Sequence, residues 1–279
     1  MHHEGSIVRR RVLAGRLRRM REEAGLTLEE AAPLLDFSVS KLSRVELGQV
    51  MIDVHWVKSM LDVYDAGGAA WTDVMDLARQ ARRQGWWRSY RLGNTDYVAF
   101  EAEARRVREL AVGYVPGLLQ TADHARALMA AVPLRRTADE LDRGVAVRLH
   151  RQRRLTSPDD PLELIAVVDE SVLHRPVGGP HVHRAQLEQL LVAAELPSVT
   201  LQVVPFAAGT VAAVSSGFML LDYGDLAAPD VAFVEHHLGS VLLDKAEEAA
   251  RARLAFERIT AAALAPDESL ALVRRVLGS

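Results

Sequence analysis

Apolar residues recur at helical spacing along residues 7–83. Leu13, Leu17 and Met20 lie three or four positions apart, so they share one face of a helix. Gly25 follows this run and is a natural place for the helix to end. The pattern therefore predicts that the chain begins with a helix whose apolar face packs against neighbouring helices.

Capping residues divide the next segment into short helices. Thr27 is a good N-cap, and Glu30 three residues later completes a capping box, so a helix is predicted over residues 28–35. Ser38 is the next capping residue, and Gly48 would end the helix that it begins. The other helices of a five-helix bundle are predicted near residues 54–64 and 71–83.

Beyond residue 97 the pattern changes, because short β-branched runs alternate with helical segments. Strands are predicted at residues 162–168, 199–204, 218–221 and 231–234. Helices are predicted at residues 97–112, 120–131, 137–156, 184–195 and 245–263. We therefore expect a mainly α domain over residues 1–83, a junction at 84–96 and a larger α+β domain over 97–279.

Composition excludes several classes of protein. The 279 residues, 49% hydrophobic and 25% charged, are ordinary for a globular chain of two domains. A formal net charge of -3 argues against a polycation that coats nucleic acid, but a local basic face remains open. Without cysteine there are no disulfides and no thiolate metal sites. No apolar stretch suits a secretion signal or a transmembrane helix, so we expect a cytoplasmic protein that does not enter a membrane.

The short helices between Thr27 and Gly48 are the part of the chain whose chemistry is most informative. Two short helices joined by a tight turn, behind a third, form a helix-turn-helix that can place one helix in the major groove of DNA. Thr27 and Ser38 would begin these helices and offer backbone N–H groups to phosphates. The residues expected to face DNA are Arg18, Thr27, Ser38, Val39, Ser40, Lys41, Ser43 and Arg44.

Each of these side chains suits a different part of a duplex. Arg44 is the best candidate for a bidentate bond to guanine, and Val39 could contact a thymine methyl group. Ser40 could reach a base or a phosphate, whereas Lys41 and Arg18 are expected to contact phosphates. The segment therefore combines residues for base reading with residues for electrostatic attachment.

Two strings in this segment, R-x-x-A-G-L-T at Arg21–Thr27 and S-V-S-K-L-S-R-V-E-x-G at Ser38–Gly48, are specific in order and spacing. Over about residues 10–66 the chain resembles helix-turn-helix regulators of the phage-repressor-like, xenobiotic-response-element type. The resemblance implies that Arg21 and Glu46 form a partly buried ion pair. That pair would tie the first helix to the end of the recognition helix and would act as a scaffold.

Five strings in the larger domain carry a second resemblance. They are YVPGLLQT at Tyr114–Thr121, VRLHRQRRLT at Val147–Thr156, VVDESVLHRPVGG at Val167–Gly179, the QL…LL run from Gln186 and LQVVPF at Leu201–Phe206. This part of the chain resembles a C-terminal domain of unknown function found in actinomycete helix-turn-helix regulators. Relatives of that kind are commonly described as antitoxin-like or developmental regulators, often encoded beside a small partner protein. The resemblance implies transcriptional control together with binding to such a partner.

Polar residues of the larger domain leave two interpretations open. Glu170 ends a predicted strand, and Arg148 and Arg151 lie at helical spacing, so a carboxylate beside arginines is either a ligand or partner pocket or a structural ion pair. His181 and His183 could reach one metal ion, with His174 or His236 and His237 as further ligands. Because the sequence has no cysteine and no HExxH-like pairing, we expect no metal. Residues 86–279 contain no catalytic or phosphate-binding motif, so we expect no enzyme activity and no cofactor.

The sequence therefore predicts a sequence-specific DNA-binding transcriptional regulator that binds a palindromic operator as a homodimer. The alternative is an antitoxin-like component that neutralises a small protein partner encoded nearby and regulates its own operon. An enzyme fused to a DNA-targeting module is a third hypothesis, which requires a pocket with paired titratable groups or a bound metal.

Overall fold

The computed structural model describes residues 6–90, 96–131, 137–211, 216–226, 228–236 and 239–278. Two units can be distinguished. The first contains the described residues of Met1–Ser89, Val98–Glu103 and Asp225–Ala228. The second contains those of Tyr90–Tyr97, Ala104–Gly224 and Pro229–Ser279. Each unit has a hydrophobic core of its own.

Five α-helices build the main part of the first unit, as the apolar spacing predicted. They are α1 (Ile7–Glu23), α2 (Leu28–Leu34), α3 (Val39–Glu46), α4 (Val54–Val63) and α5 (Gly68–Ala81). Leu17, Leu42, Val57 and Leu61 are fully buried in the core that these helices share. The order of helices, with the short α2 and α3 behind α1, is that of a helix-turn-helix domain.

Side chains at the predicted caps begin the two short helices. Thr27 accepts a hydrogen bond from the N–H of Glu30, and the Glu30 carboxylate accepts one from the N–H of Thr27, which completes a capping box at α2. Ser38 begins α3 by accepting a bond from the N–H three residues later, at 3.2 Å. These caps fix the residues at which α2 and α3 begin.

Six strands form one sheet in the second unit. They are β1 (Arg106–Ala111), β2 (Glu163–Asp169), β3 (Val199–Val204), β4 (Phe218–Asp222), β5 (Val231–His236) and β6 (Gly239–Leu243). Their order across the sheet is β3-β2-β1-β4-β5-β6. Strands β1, β2 and β3 pair in parallel, whereas β4, β5 and β6 join by antiparallel pairing. Together with the surrounding helices, the sheet confirms the predicted α+β class.

Helices of the second unit occupy most of the predicted positions. They are α7 (Ala122–Ala131), α8 (Ala138–Gln152), α9 (Ser171–His174), α10 (Pro180–Ala193), α11 (Ala246–Ala262) and α12 (Pro266–Leu277). Short 3-10 turns occur at Trp86–Tyr90, Gly117–Leu119, Arg153–Thr156, Phe206–Val211 and Gly224–Leu226. Phe256 and Ile259 of α11 pack with Leu110, Val167 and Val204 of the three parallel strands.

The prediction of a single helix over residues 97–112 is wrong. The structure has a short helix, α6 (Asp96–Glu101), followed by the central strand β1. Arg106, at the start of β1, forms an ion pair with Glu163 of β2, with Nε and Oε2 2.7 Å apart. Strand β1 also pairs with β2 on one side and with β4 on the other. These tertiary contacts outweigh the helical preference of a segment that is rich in alanine, arginine and glutamate.

No helix among the described residues is long and apolar enough to cross a membrane.

Candidate nucleic-acid interface

The helix α3 presents a short polar face opposite its buried side. Leu42 and Val45 enter the core, so Ser40 and Arg44, one helical turn apart, lie on the outer face. Val39 at the start of the helix is 38% exposed. The predicted readout residues therefore share one accessible surface, to which the partly exposed Ser43 also belongs.

Arg44 has few contacts within its own unit. Its Nε donates a weak hydrogen bond to the carbonyl oxygen of Ser40, with a separation of 3.4 Å. No carboxylate within the described part of the chain forms an ion pair with it. A guanidinium held only at its base can direct its outer donors toward the O6 and N7 atoms of a guanine.

The N-termini of α2 and α3 differ in charge. The first turn of α3 contains no acidic residue, so the positive end of its dipole remains available to an anion. At α2 both the hydroxyl and the N–H of Thr27 bond to the Glu30 carboxylate at 2.9 Å, which lowers the pKa of Glu30. The N–H and hydroxyl of Thr27 are thus engaged by a carboxylate of the chain, and contact of Thr27 with DNA stays a prediction.

Arg18 lies on the exposed surface of α1 and is paired. Its Nε is 2.8 Å from Oε1 of Glu22, one turn later, and the two side chains are about half exposed. The hydrogen bond from Arg18 lowers the pKa of Glu22. Because an exposed ion pair contributes little free energy, a DNA phosphate could replace Glu22 as the partner of Arg18.

Arg21 and Glu46 are in contact, as the resemblance implied. Nε and Nη2 of Arg21 donate to Oε1 and Oε2 of Glu46 at 2.8 and 2.9 Å, and both side chains are buried. Nη1 of Arg21 also donates to the carbonyl oxygen of Leu26 at 2.6 Å. Burial of the Tyr64 hydroxyl and the nearby charge of Glu46 raise the pKa of Tyr64. This network of buried side chains fixes α3 relative to α1.

Glu170 bonds to groups other than Arg148 and Arg151, so a structural ion pair among the three is not what holds Glu170, and a pocket shared by them stays a prediction. The Glu170 carboxylate accepts a hydrogen bond from the N–H of Phe206 at 2.6 Å, and its Oε1 lies 3.7 Å from Nε2 of His174. Glu170 thus closes the turn after β3. The side chain of Glu170 is therefore engaged by Phe206 and His174, which lie near the ends of β3 and β2.

The two arginines lie together near the turn at Gly117. A Cβ at Gly117 would be 3.2 Å from Nη1 of Arg148 and 3.6 Å from Nη2 of Arg151, so this position leaves room for both groups. Nη1 of Arg148 donates to Oε1 of Gln120 at 2.7 Å, and Arg151 lies over the ring of Tyr97. These contacts connect α8 to the segment YVPGLLQT.

Sequence reasoning missed the acidic residues that act on Arg148. Burial and the charge of Arg151 lower the pKa of Arg148 to about 10, while Glu235 and Glu109 oppose this change. The Tyr114 hydroxyl donates to Glu235 at 3.4 Å. Glu109 is on β1, which was predicted as a helix, so its place in the sheet could not be inferred. The alternation of arginine and apolar residues in β1 was the available signal.

Among the residues that the structure describes, no three His, Cys, Asp or Glu side chains are grouped to hold a metal ion. His183 has another partner, since its Nε2 lies 2.8 Å from the carbonyl oxygen of Leu173.

Comparison with known proteins adds two family matches. Residues 94–275 match the family described as Domain of unknown function (DUF5753), and residues 12–71 match a Helix-turn-helix domain. No curated protein and no solved structure matches the chain. The second match contains α2, α3 and α4 completely, and therefore contains the polar face of α3.

Proposed function

Because the chain belongs to the DUF5753 family and carries a helix-turn-helix domain before that domain, we propose that it is a sequence-specific transcriptional regulator. The helix-turn-helix match indicates DNA binding and regulation of transcription. The observation that carries the proposal is the polar outer face of α3, with Arg44 directed away from the core.

In this proposal α3 is the recognition helix. Arg44 bonds to a guanine in the major groove, Val39 contacts a thymine methyl, and Ser40 and Ser43 bond to neighbouring base edges or phosphates. The N-terminus of α3 and Lys41 attach to the phosphate backbone. The buried Arg21–Glu46 pair supports this arrangement without contacting DNA.

The proposal is tested by selecting bound fragments from random DNA with the purified full chain. We expect enrichment of one sequence, and we expect Arg44→Ala to bind the enriched sequence more weakly. Arg83→Ala is the matched control, because Arg83 is also exposed but lies outside α3. If no sequence is enriched at any of several salt concentrations, the proposal is wrong.

We also propose that the operator is palindromic and that two copies of the chain bind it. One recognition helix reads about half a turn of DNA, so two half-sites one turn apart supply the affinity and specificity that a regulator needs. The same selection reports symmetry and spacing. Gel filtration with light scattering should give a dimer on the selected DNA, and a monomer bound to an asymmetric site would contradict this proposal.

We propose that the second unit acts by binding rather than by catalysis. Arg148 is hydrogen-bonded to Gln120, and Arg151 lies over the ring of Tyr97. The guanidinium groups of both arginines lie close to Gly117. Incubation of the full chain with panels of ester, phosphate and glycoside substrates should give no turnover. Turnover that persists in Arg44→Ala but is lost in Arg148→Met would favour the hypothesis of a fused enzyme.

A further inference from the structure

The side chain of Lys41 lies over two aromatic rings at the edge of the α3 surface. Its Nζ is 3.5 Å from the centroid of the Phe37 ring and 5.0 Å from the centroid of the Trp56 ring. The two rings touch each other, with centroids 4.7 Å apart and planes inclined by 56°. An ammonium within about 6 Å of a ring centroid is attracted to the face of the ring. Phe37 and Trp56 therefore form a platform that holds Lys41 before any ligand arrives.

The platform connects three elements of the first unit. Phe37 is buried and stands one residue before the Ser38 cap of α3, and Trp56 is in the first turn of α4 and is 36% exposed. Lys41 is the third residue of α3. The ammonium consequently lies near the beginnings of both helices, where the backbone dipoles favour an anion.

In the described part of the chain, no acidic residue compensates the beginning of α3, whereas the carboxylate of Asp53 caps the beginning of α4. The first turns of α3 and α4 contain no acidic residue. Asp53 caps α4, but its carboxylate accepts from the N–H of His55 and from Arg82, both at 2.9 Å. The positive charge of Lys41 is thus held by ring faces and is not neutralised by an ion pair in the described residues.

We infer that Phe37 and Trp56 are positioning residues that hold Lys41 for a phosphate of the DNA backbone, an inference that rests on the proposed function. A free lysine has a long flexible stem and loses rotamer freedom when it binds a phosphate. The rings of Phe37 and Trp56 restrict the Lys41 side chain before DNA binds. Because the rings carry no net charge, the ammonium keeps its positive charge for the phosphate. Arg18, by contrast, must exchange Glu22 before it can bind.

The alternative is that the platform only braces α3 against α4. In that case loss of the Trp56 ring would change stability, while Lys41 would bind DNA as before. The two interpretations differ in how the effects of Lys41 and Trp56 variants on DNA affinity combine.

The chain contains only three lysines, Lys41, Lys58 and Lys245, so each can be followed individually. Reductive methylation with carbon-13 formaldehyde gives one methyl resonance for each lysine and one for the N-terminal amine, and Lys58→Arg and Lys245→Arg assign the lysine resonances. We expect the Lys41 resonance upfield of the other two because of the ring currents, and closer to them in Trp56→Ala. Addition of the selected DNA should move the Lys41 resonance and leave that of Lys245 in place.

Binding of the full chain to the selected DNA, measured by fluorescence anisotropy at several salt concentrations, tests the role directly. Lys41→Met should weaken binding about tenfold and reduce the salt slope by about one. Trp56→Ala should weaken it about threefold with an unchanged slope, because the charge remains. Trp56→Phe should retain most of the affinity. The double variant should bind like Lys41→Met alone, whereas Lys58→Met, an exposed charge control on α4, should combine additively with Trp56→Ala.

Circular dichroism shows whether each variant is folded. A folded Trp56→Ala with unchanged affinity, or effects of Lys41→Met and Trp56→Ala that simply add, would overturn the platform. Weakening by Arg44→Ala would leave the proposed function standing in either case. If Arg44→Ala and Lys41→Met both bind the selected DNA like the wild type, α3 is not the recognition helix, whereas the absence of any selected sequence would overturn the proposed function itself.

Discussion

The guanidinium of Arg21 and the carboxylate of Glu46 share two hydrogen bonds, although the residues belong to different helices. Both groups are buried, so water cannot replace either partner. The pair therefore connects α1 to the last turn of α3, immediately behind the polar face that is proposed to read DNA. Its strength determines how firmly that face is held.

Arg21→Ala should lower the free energy of unfolding of the first unit by about 3–5 kcal/mol, because Glu46 would remain buried without its partner. All four tryptophans, Trp56, Trp71, Trp86 and Trp87, lie in one stretch of this unit, so their fluorescence in urea follows its unfolding. Arg18→Ala removes an exposed pair from the same helix and should change little. Equal losses in the two variants would show that the buried pair has no special role.

Replacement of both partners separates lost charge from lost contact. Arg21→Met combined with Glu46→Met leaves no buried charge, so this variant should be more stable than Arg21→Ala. A double variant less stable than Arg21→Ala would mean that the geometry of the ion pair itself is required.

Arg44→Ala should weaken binding to the selected DNA by about 1–3 kcal/mol and relax the preference at one base position. The reason is that a bidentate bond to guanine discriminates that base, whereas a phosphate contact does not. The measurement is the affinity for a set of duplexes in which each base pair is changed in turn. A uniform loss across all duplexes would instead assign Arg44 to the backbone.

Helix boundaries in the first unit could be predicted because local chemistry fixes them. The cap at Thr27 and the cap at Ser38 each depend on residues no more than three positions away. The contact between Lys41 and Trp56 could not be predicted, since the folded arrangement of α3 and α4 creates it. The spacing of residues therefore predicted which side chains lie on the outer face of α3, but it did not predict the platform of Phe37 and Trp56 at the edge of that face.

In the second unit the failures have a common cause. Strand β1 contains Arg106, Arg108 and Glu109, charged residues that are unusual in a central strand. The two arginines form ion pairs with residues that only the tertiary fold brings near. Helix α12 was not predicted, although Pro266 at its start and the bond from the Ala265 N–H to Glu268 are local signals. Strand β1 was not predicted because its partners are distant in the sequence. Helix α12 could have been predicted from the local cap at its start.

Gly217→Ala should destabilise the second unit by about 1–3 kcal/mol, as overpacking does. A Cβ at this position would be 2.3 Å from the carbonyl oxygen of Leu110 in β1. Since Leu110 pairs with Phe218, the backbone cannot withdraw without disturbing the register of β1 and β4. Urea unfolding followed by far-ultraviolet circular dichroism measures the change.

Gly113→Ala is the matched control for Gly217→Ala. Its Cβ would meet only the end of the Arg175 side chain, at 3.8 Å, so little loss is expected. If the two alanine variants are equally stable, the close approach at Gly217 is not restrictive.

His124→Leu should make the stability of the second unit less dependent on pH. Burial, and then the charges of His183 and Arg148, lower the pKa of His124 to about 4, whereas an unfolded histidine has a pKa near 6.5. Between these values the unfolded chain binds a proton that the folded chain does not, so the wild type should lose up to about 3 kcal/mol as the pH falls through this range. Urea unfolding at pH 7 and pH 5 should show a smaller difference for His124→Leu than for the wild type or for the exposed control His181→Leu. Parallel losses in all three proteins would show that His124 is not the group responsible.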